Sequence, residues 1–189
     1  LAVFILPLCF NIDFILSLWL KEIPAYTNIF VILFLANVLA ESYSTYLITV
    51  LLATGKIAFY QASVGTILLL NVPLSYLAFQ WGYPPVSFLV VSIILTFAAS
   101  ALRLFLLKKR FSFSITLFLR SVFLKTLLTI LLVSALNFML LNLRSLLPYG
   151  NILVLLFSCL ISMGGIYILG LNSEERRIVI VQAKKYLHR

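Results

Sequence analysis

The stretch "YTNIFVILFLANVLAESYSTYLITVLLA", residues 26–53, decides the fold of this chain. It carries a single charged residue, Glu41, near its middle. About twenty apolar residues in a helix are enough to cross a hydrocarbon core of roughly 30 Å. At a rise of about 1.5 Å per residue, this stretch predicts one unbroken helix of about 28 residues, longer than the core is thick.

The composition of the whole chain points to the same environment. Of its 189 residues, 63% are hydrophobic and only 10% are charged, and the mean hydropathy is +1.17. The strict alternation of apolar and polar residues that marks a membrane β-barrel is absent from the sequence. Helices satisfy every backbone group within one segment in lipid. The sequence therefore predicts an all-α protein, a polytopic transmembrane helical bundle.

Six apolar segments follow one another along the chain, with approximate bounds at 1–20, 26–53, 57–79, 86–107, 121–142 and 150–170. The first is interrupted by "NID" at 11–13. We take 1–171 as the transmembrane part, with six helices, and 172–189 as a basic cytoplasmic tail helix. The chain begins "LAVFILPLCF", without an initiator Met or a basic segment, so we expect it to be the C-terminal part of a longer protein or a domain excised from one.

The positive charges of the connectors predict the orientation. Of fourteen Lys and Arg residues, only Lys21 and Arg144 belong to the odd-numbered connectors. The even-numbered side, with the tail, holds the other twelve: Lys56, Arg103, Lys108, Lys109, Arg110, Arg120, Lys125, Arg176, Arg177, Lys184, Lys185 and Arg189. Cytoplasmic loops of membrane proteins carry the excess of Lys and Arg. We therefore expect the even-numbered side and the C-terminus in the cytoplasm.

The tail, "NSEERRIVIVQAKKYLHR", has the pattern of an amphipathic surface helix. Ser173 suits an N-cap, and two acids follow it in the first turn, where the helix dipole favours them. One side of the helical wheel is apolar and the other is basic, with Val179, Ile180, Ala183, Tyr186 and Leu187 opposite Arg177, Lys184, Lys185 and His188. Such a helix lies on anionic lipid headgroups. The alternative is a solvated tail that frays.

Polar residues inside the segments are the candidates for function. Asn37, Glu41, Ser44 and Thr45 fall within about a third of the helix circumference. Lipid penalises such a stripe, so we expect it to face other helices or an aqueous cavity. In one interpretation Glu41 is a cavity carboxylate that binds a cation, a proton or a polar substrate. In the other, it is a hydrogen-bonded residue that holds helices together.

Four further positions are candidates. Pro73 lies inside the third segment and removes one helical hydrogen bond, so it is either a hinge next to Asn71 or a plain kink. Arg103 and Lys125 lie near the cytoplasmic ends of their segments. They either snorkel to the interface or form a basic entrance for an anionic headgroup.

The sequence lacks the motifs that are typical of enzymes, of metal or cofactor sites and of nucleic-acid-binding proteins. The sequence has no nucleophile elbow, no phosphate-binding loop and no paired carboxylates, so we expect no catalytic residues and no enzyme. Its two cysteines are far apart, and its only histidine is in the tail, so we expect no metal and no cofactor. A net charge of +9 is explained by topology and does not indicate nucleic-acid binding.

Four stretches in a specific order resemble a known family: "NIDFILSLWLKEIPAYT", "LLATGKIAFYQ", "LLLNVPLSYLAFQWGYPPVSF" and "LGLNSEERR". Together they are similar to polysaccharide biosynthesis membrane proteins. These are the O-antigen and capsule flippases of the multidrug/oligosaccharidyl-lipid/polysaccharide exporter superfamily. The likeness spans essentially the whole chain and only the C-terminal part of such a protein.

The resemblance implies a protein of two helical lobes around a central cavity in the bacterial inner membrane. Such a protein moves undecaprenyl-diphosphate-linked oligosaccharide to the periplasmic leaflet by alternating access. Its partners would be membrane lipids, the lipid-linked oligosaccharide and a missing N-terminal lobe. The alternatives are a cation-coupled multidrug antiporter of the same superfamily and a non-transporting scaffold that recruits glycan-assembly enzymes through its basic tail.

Overall fold

The computed structural model of the chain describes residues 1–52, 57–111, 119–142, 150–171, 175–177 and 181. Every regular element in these ranges is helical. The helices are α1 (Ala2–Phe10), α2 (Ile12–Ser17), α3 (Thr27–Leu52), α4 (Ile57–Leu69), α5 (Asn71–Gln80), α6 (Ser87–Phe111), α7 (Leu124–Leu141) and α8 (Gly150–Gly165). Short π-helical turns occur at Leu119–Phe123 and Ile166–Gly170.

Five helical stretches of the described residues are long and apolar enough to cross a membrane: Thr27–Leu52, Tyr60–Gln80, Ser87–Lys108, Leu124–Leu141 and Gly150–Gly170. Their outer surfaces expose large apolar side chains, such as Leu69 at 72% and Met139 at 71%. Water would penalise this surface, whereas hydrocarbon does not. The predicted all-helical membrane class is confirmed, and the long second segment is the unbroken 26-residue α3.

The first predicted segment consists of two short helices, α1 and α2, of nine and six residues. The interruption lies at Asn11, whose side chain is almost fully buried. Both its Nδ2 and its backbone N–H donate to the carbonyl oxygen of Pro7, over 3.0 and 3.1 Å. A side chain that bonds its own backbone competes with the helical pattern, and Asn11 makes such a bond at the break.

Most of the predicted tail helix at 172–189 lies outside the described residues. Within it, residues 175–177 are helical, and residue 181 is also described as helical. Lys56 and Arg144, which enter the prediction of orientation, also lie outside the described ranges.

Contacts divide the chain into two units. The first unit contains Ile12–Leu119 with Leu1. In it α3 packs against α6, and α4 and α5 pack on α6 as well. The buried centre of this unit is a cluster of apolar side chains: Leu47, Leu51, Tyr60, Val64, Ala99, Leu106 and Leu107.

The second unit contains Ala2–Asn11 and Arg120–Arg189, and in it α1 packs on both α7 and α8. The buried side of α7 repeats every four residues, at Thr129, Val133 and Asn137. The buried side of α8 repeats in the same way with small residues, at Gly150, Val154, Ser158 and Ser162. Small residues at this spacing let two helix backbones approach closely in a membrane.

The third predicted segment is two helices that run almost without a gap. α4 ends at Leu69 and α5 begins at Asn71. The N–H of Leu70 is shared between the carbonyls of Thr66 and Ile67, at 3.3 and 3.2 Å, and Leu74 N–H again reaches the carbonyl of Leu70. Because Pro73 has no N–H to give to the carbonyl four residues before it, the regular ladder is interrupted at this point. After α5, Gly82 adopts a positive φ of 81°, which permits the tight turn into α6.

The close packing of α7 on α8 yields a matched pair of glycine substitutions. A Cβ added to Gly165 would lie 2.7 Å from Cγ2 of the fully buried Val133, whereas a Cβ on Gly164 would meet nothing within 4 Å. We expect Gly165→Ala to incur about 1–3 kcal/mol of overpacking. Gly164→Ala avoids the clash and gains about 1 kcal/mol of helix propensity. Thermal unfolding in detergent measures both, and Val133→Ala should restore the Gly165→Ala protein. Equal shifts for the two glycine variants would contradict this packing.

Candidate functional site

The helix α3 has a buried side and an exposed side, and the boundary between them passes through the predicted polar stripe. Ala40, Ser44, Leu47 and Leu51 are buried at the spacing of one helix face. That face packs against α6, which is the most extensive helix pairing of the first unit. The adjacent flank, which begins one residue further on at Glu41, is exposed.

Asn37 and Ser44 lie in a ladder of polar side chains between α3 and α6. The amide Nδ2 of Asn37 donates to Oγ of Ser92 over 3.3 Å, and Oγ1 of Thr96 donates to Oδ1 of Asn37 over 3.0 Å. Ser44 lies about two turns after Asn37 in α3, and Ser100 lies about one turn after Thr96 in α6. Their hydroxyls are hydrogen-bonded to each other. Residue numbers rise together along both helices, so α3 and α6 are parallel.

Parallel packing has a consequence for the path of the chain. Two parallel membrane helices need one crossing in the opposite direction between them. The stretch Tyr60–Gln80 is long enough for that crossing despite its interruption at Leu70. The hydrogen bond between Tyr60 and Arg103 places the beginning of this stretch beside the end of α6, as an antiparallel crossing requires.

Glu41 and Thr45 occupy the exposed flank of α3, away from the ladder. Thr49 continues this flank, and its Oγ1 donates to the carbonyl of Thr45 over 3.1 Å. Glu41 is about 21 Å from the first residue of the helix at 1.5 Å per residue, so it lies near the middle of the span. We call Glu41, Thr45 and Thr49 the polar flank. The structure thus separates the four residues of the predicted stripe into a packed pair and an exposed pair.

Arg103 is buried, with a relative exposure of 5%, and does not snorkel to the surface. Its Nε–H donates to the phenolic oxygen of Tyr60 over 3.1 Å, and Tyr60 is buried as well. The position that the sequence suggested for an interfacial cation is therefore inside the first unit. The guanidinium joins α6 to the beginning of the α4–α5 stretch and does not form an open basic entrance there.

The remaining predicted site residues lie apart from the polar flank in the chain. Asn71 begins α5, and its Oδ1 accepts a hydrogen bond from the buried Ser75 over 3.0 Å. Pro73 lies between them, three residues after the interruption at Leu70. Lys125 is half-buried in the first turn of α7, in the second unit.

A second polar cluster, in the second unit, was not among the sequence candidates. The fully buried Asn137 of α7 donates from Nδ2 to Oγ of Ser162 over 3.1 Å and accepts at Oδ1 from Ser158. Its Nδ2 also donates to the carbonyl of Val133 over 2.9 Å. The four-residue spacing of Ser158 and Ser162 was the available signal, because it places two hydroxyls on one face of an otherwise apolar helix.

The described residues contain no group of three or more His, Cys, Asp or Glu arranged to hold a metal ion. Among the described residues of the five membrane-crossing stretches, Glu41 is the one that carries a carboxyl group in its side chain. The chemistry available on the polar flank is therefore that of one carboxyl group with hydroxyl neighbours. Such a flank can exchange a proton, bind a cation or hydrogen-bond a sugar.

Comparison with protein-family models, with curated proteins and with solved structures finds no match for this chain. The functional interpretation therefore rests on the residues of the chain and on their arrangement.

The two sides of α3 predict different responses to truncation. Asn37→Ala removes two hydrogen bonds to α6, and interhelical bonds in membranes average about 0.6 kcal/mol with a maximum of about 1.7 kcal/mol. We expect a loss of about 1 kcal/mol in the free energy of unfolding. Thr45→Ala, two turns away on the exposed flank, should change it by less than about 0.5 kcal/mol. Titration with a denaturing detergent measures both, and a Thr45→Ala loss as large as that of Asn37→Ala would refute the assignment of faces.

Proposed function

We propose that this chain is part of a membrane transporter that flips lipid-linked oligosaccharide across the bacterial cytoplasmic membrane for surface polysaccharide biosynthesis. The observation that supports it most directly is the exposure of Glu41 in the middle of a long apolar helix. The family resemblance of the four quoted sequence stretches supplies the substrate class, undecaprenyl-diphosphate-linked glycan.

The position of Glu41 in the middle of a membrane-crossing helix is energetically costly. A charged side chain at the centre of a membrane helix costs about 2.5–3.5 kcal/mol on insertion scales, and such residues face a bundle interior or a water-filled cavity. In α3 the side that packs on α6 is already occupied by the Asn37 and Ser44 ladder. The polar flank therefore needs another polar environment, and a water-filled transport cavity would provide it.

The chemistry of the polar flank suits the proposed cargo. A glycan presents many hydroxyl groups that must keep hydrogen bonds while they cross the hydrocarbon region. Thr45 and Thr49 have hydroxyl oxygens along the same flank as Glu41, and these can accept hydrogen bonds. A carboxyl group that gains and loses a proton or a cation also provides coupling to an ion gradient.

We further propose six crossings, with the α1–α2 pair as a first, interrupted span. Discontinuous helices are common in transporters where backbone lines a cavity. The tail then lies on the cytoplasmic surface as an amphipathic helix, in accordance with the asymmetry of Lys and Arg.

A second candidate function is a cation-coupled multidrug antiporter. Glu41 itself favours it, because an exposed membrane-centred carboxylate attracts organic cations. The two functions differ in the phenotype that loss of the carboxylate produces: reduced surface polysaccharide in one case, and increased sensitivity to cationic drugs in the other.

The test replaces codons in the chromosomal gene that encodes this chain. Glu41→Gln keeps size and hydrogen bonding while it removes the charge. We expect surface polysaccharide to fall about fivefold or more, the size of an ion-coupling free energy of 1–3 kcal/mol. The protein level should hold, because Asn37 and Ser44 keep their partners on α6. Quantitative immunoblots measure polysaccharide and protein in the same cells.

Glu22→Gln is the matched control, since it makes the same chemical change at an exposed residue in the α2–α3 connection. It should leave polysaccharide unchanged. Normal polysaccharide in the Glu41→Gln strain would overturn the proposal, and drug sensitivity with normal polysaccharide would favour the antiporter.

A further inference from the structure

The end of α8 carries an apolar groove that the transport proposal does not use. Its volume is about 460 Å³, which falls in the range of ligand pockets, about 300–1,000 Å³. Val3 of α1 forms one wall, and Leu160, Met163, Gly164 and Tyr167 lie along the other. All of these residues belong to the second unit. The walls offer contact to hydrocarbon and almost no polar group.

A cation lies next to Tyr167, one of the residues that line this groove. The guanidinium of Arg176 is 5.9 Å from the centroid of the Tyr167 ring, within reach of a cation–π contact. Its Nη2 donates to the carbonyl oxygen of Ile168 in the π-helical turn that follows α8. This bond fixes the cation and neutralises part of the negative end of the helix dipole.

The Arg176 side chain retains donors that its described neighbours do not use. A guanidinium has five N–H donors, and the bond to Ile168 takes one of them. Its Nε is buried and has no acceptor among the residues that the structure describes. A buried donor without an acceptor is costly, so this position favours a ligand with several acceptor oxygens.

The groove and the cation stand at the height of a lipid headgroup. Tyr167 lies in the last turn of the membrane-crossing stretch Gly150–Gly170, where aromatic residues mark the interface with water. Hydrocarbon therefore lies along the groove, and headgroups lie beside Arg176. Arg177, which is adjacent and exposed, adds positive charge at the same level.

We propose that this groove is a binding site for an anionic glycerophospholipid, with an acyl chain against Gly164 and Tyr167 and its phosphate bound by Arg176. Arginine binds phosphate through charge-assisted, often bidentate hydrogen bonds. Basic sites between membrane helices on the cytoplasmic side select acidic lipid headgroups. The inference is independent of what the chain transports.

Native mass spectrometry of the purified protein tests this site, with phosphatidylglycerol and phosphatidylcholine of identical acyl chains added to a neutral detergent. We expect phosphatidylglycerol to bind about fivefold more tightly, the contribution of one basic residue near the headgroup. Arg176→Gln should abolish this preference. Arg120→Gln makes the same change in charge at an exposed residue of the second unit and should preserve it.

The apolar part of the site has its own variant. Gly164→Leu places a side chain into open space in the groove and should lower binding of both lipids while Arg176 is intact. Leu160→Trp, at a residue with 64% exposure, fills the same groove if the glycine variant does not fold. Equal binding of the two lipids by the unmodified protein would overturn the proposal. So would loss of the preference in Arg120→Gln, or full binding in a folded groove-filling variant.

Discussion

Hydrocarbon supplies no hydrogen-bond partner, and this constraint organises the polar residues of the whole chain. Each polar side chain within a span needs a neighbour from another helix, from its own backbone or from water that the protein admits. Asn37 and Asn137 have neighbours on α6 and α8. Thr129 donates to the carbonyl of Lys125 in its own helix, over 2.9 Å.

The paired residues hold helices together where lipid gives no hydrophobic driving force between them. In the first unit the Asn37 and Ser44 ladder sets the register of two parallel helices. In the second unit, Asn137 inserts between two serines of an antiparallel neighbour, and Val133 packs against Gly165. Glu41 does not take part in this packing and lies on the exposed side of α3. The functional proposal is based on this exposed carboxyl group.

Sequence reasoning located elements well because the length and polarity of a segment are local properties. It predicted the long α3, the interruption at 11–13 and the disturbance near Pro73, each from residues within a few positions. It did not predict that Arg103 is buried against Tyr60, 43 residues away. A sequence shows which residues share a helix face, but the neighbour that covers the face depends on packing between distant segments.

The polar stripe of α3 shows the same limit at closer range. A third of the helix circumference is wide enough to include both a packed edge and an exposed one. The step of one residue, about 100° around the axis, separates buried Ala40 from exposed Glu41 and buried Ser44 from exposed Thr45. The helical periodicity predicted the polar stripe. The position of α6 determines which of its residues are packed and which are exposed. Asn137 was overlooked because a lone amide in an apolar run gives no periodic signal.

The central claim is that Glu41 faces a polar environment in the middle of the membrane while Ser44 faces α6. Glu41→Cys and Ser44→Cys, each made in a chain whose two native cysteines, Cys9 and Cys159, are replaced by Ala, compare these positions directly. The measurement is the reaction rate of each thiol with a charged, water-soluble methanethiosulfonate in membranes. The account predicts that the thiol at position 41 reacts at least about tenfold faster, because thiolate forms only where water reaches it. Equal protection of both thiols would contradict the account and place Glu41 against lipid or another helix.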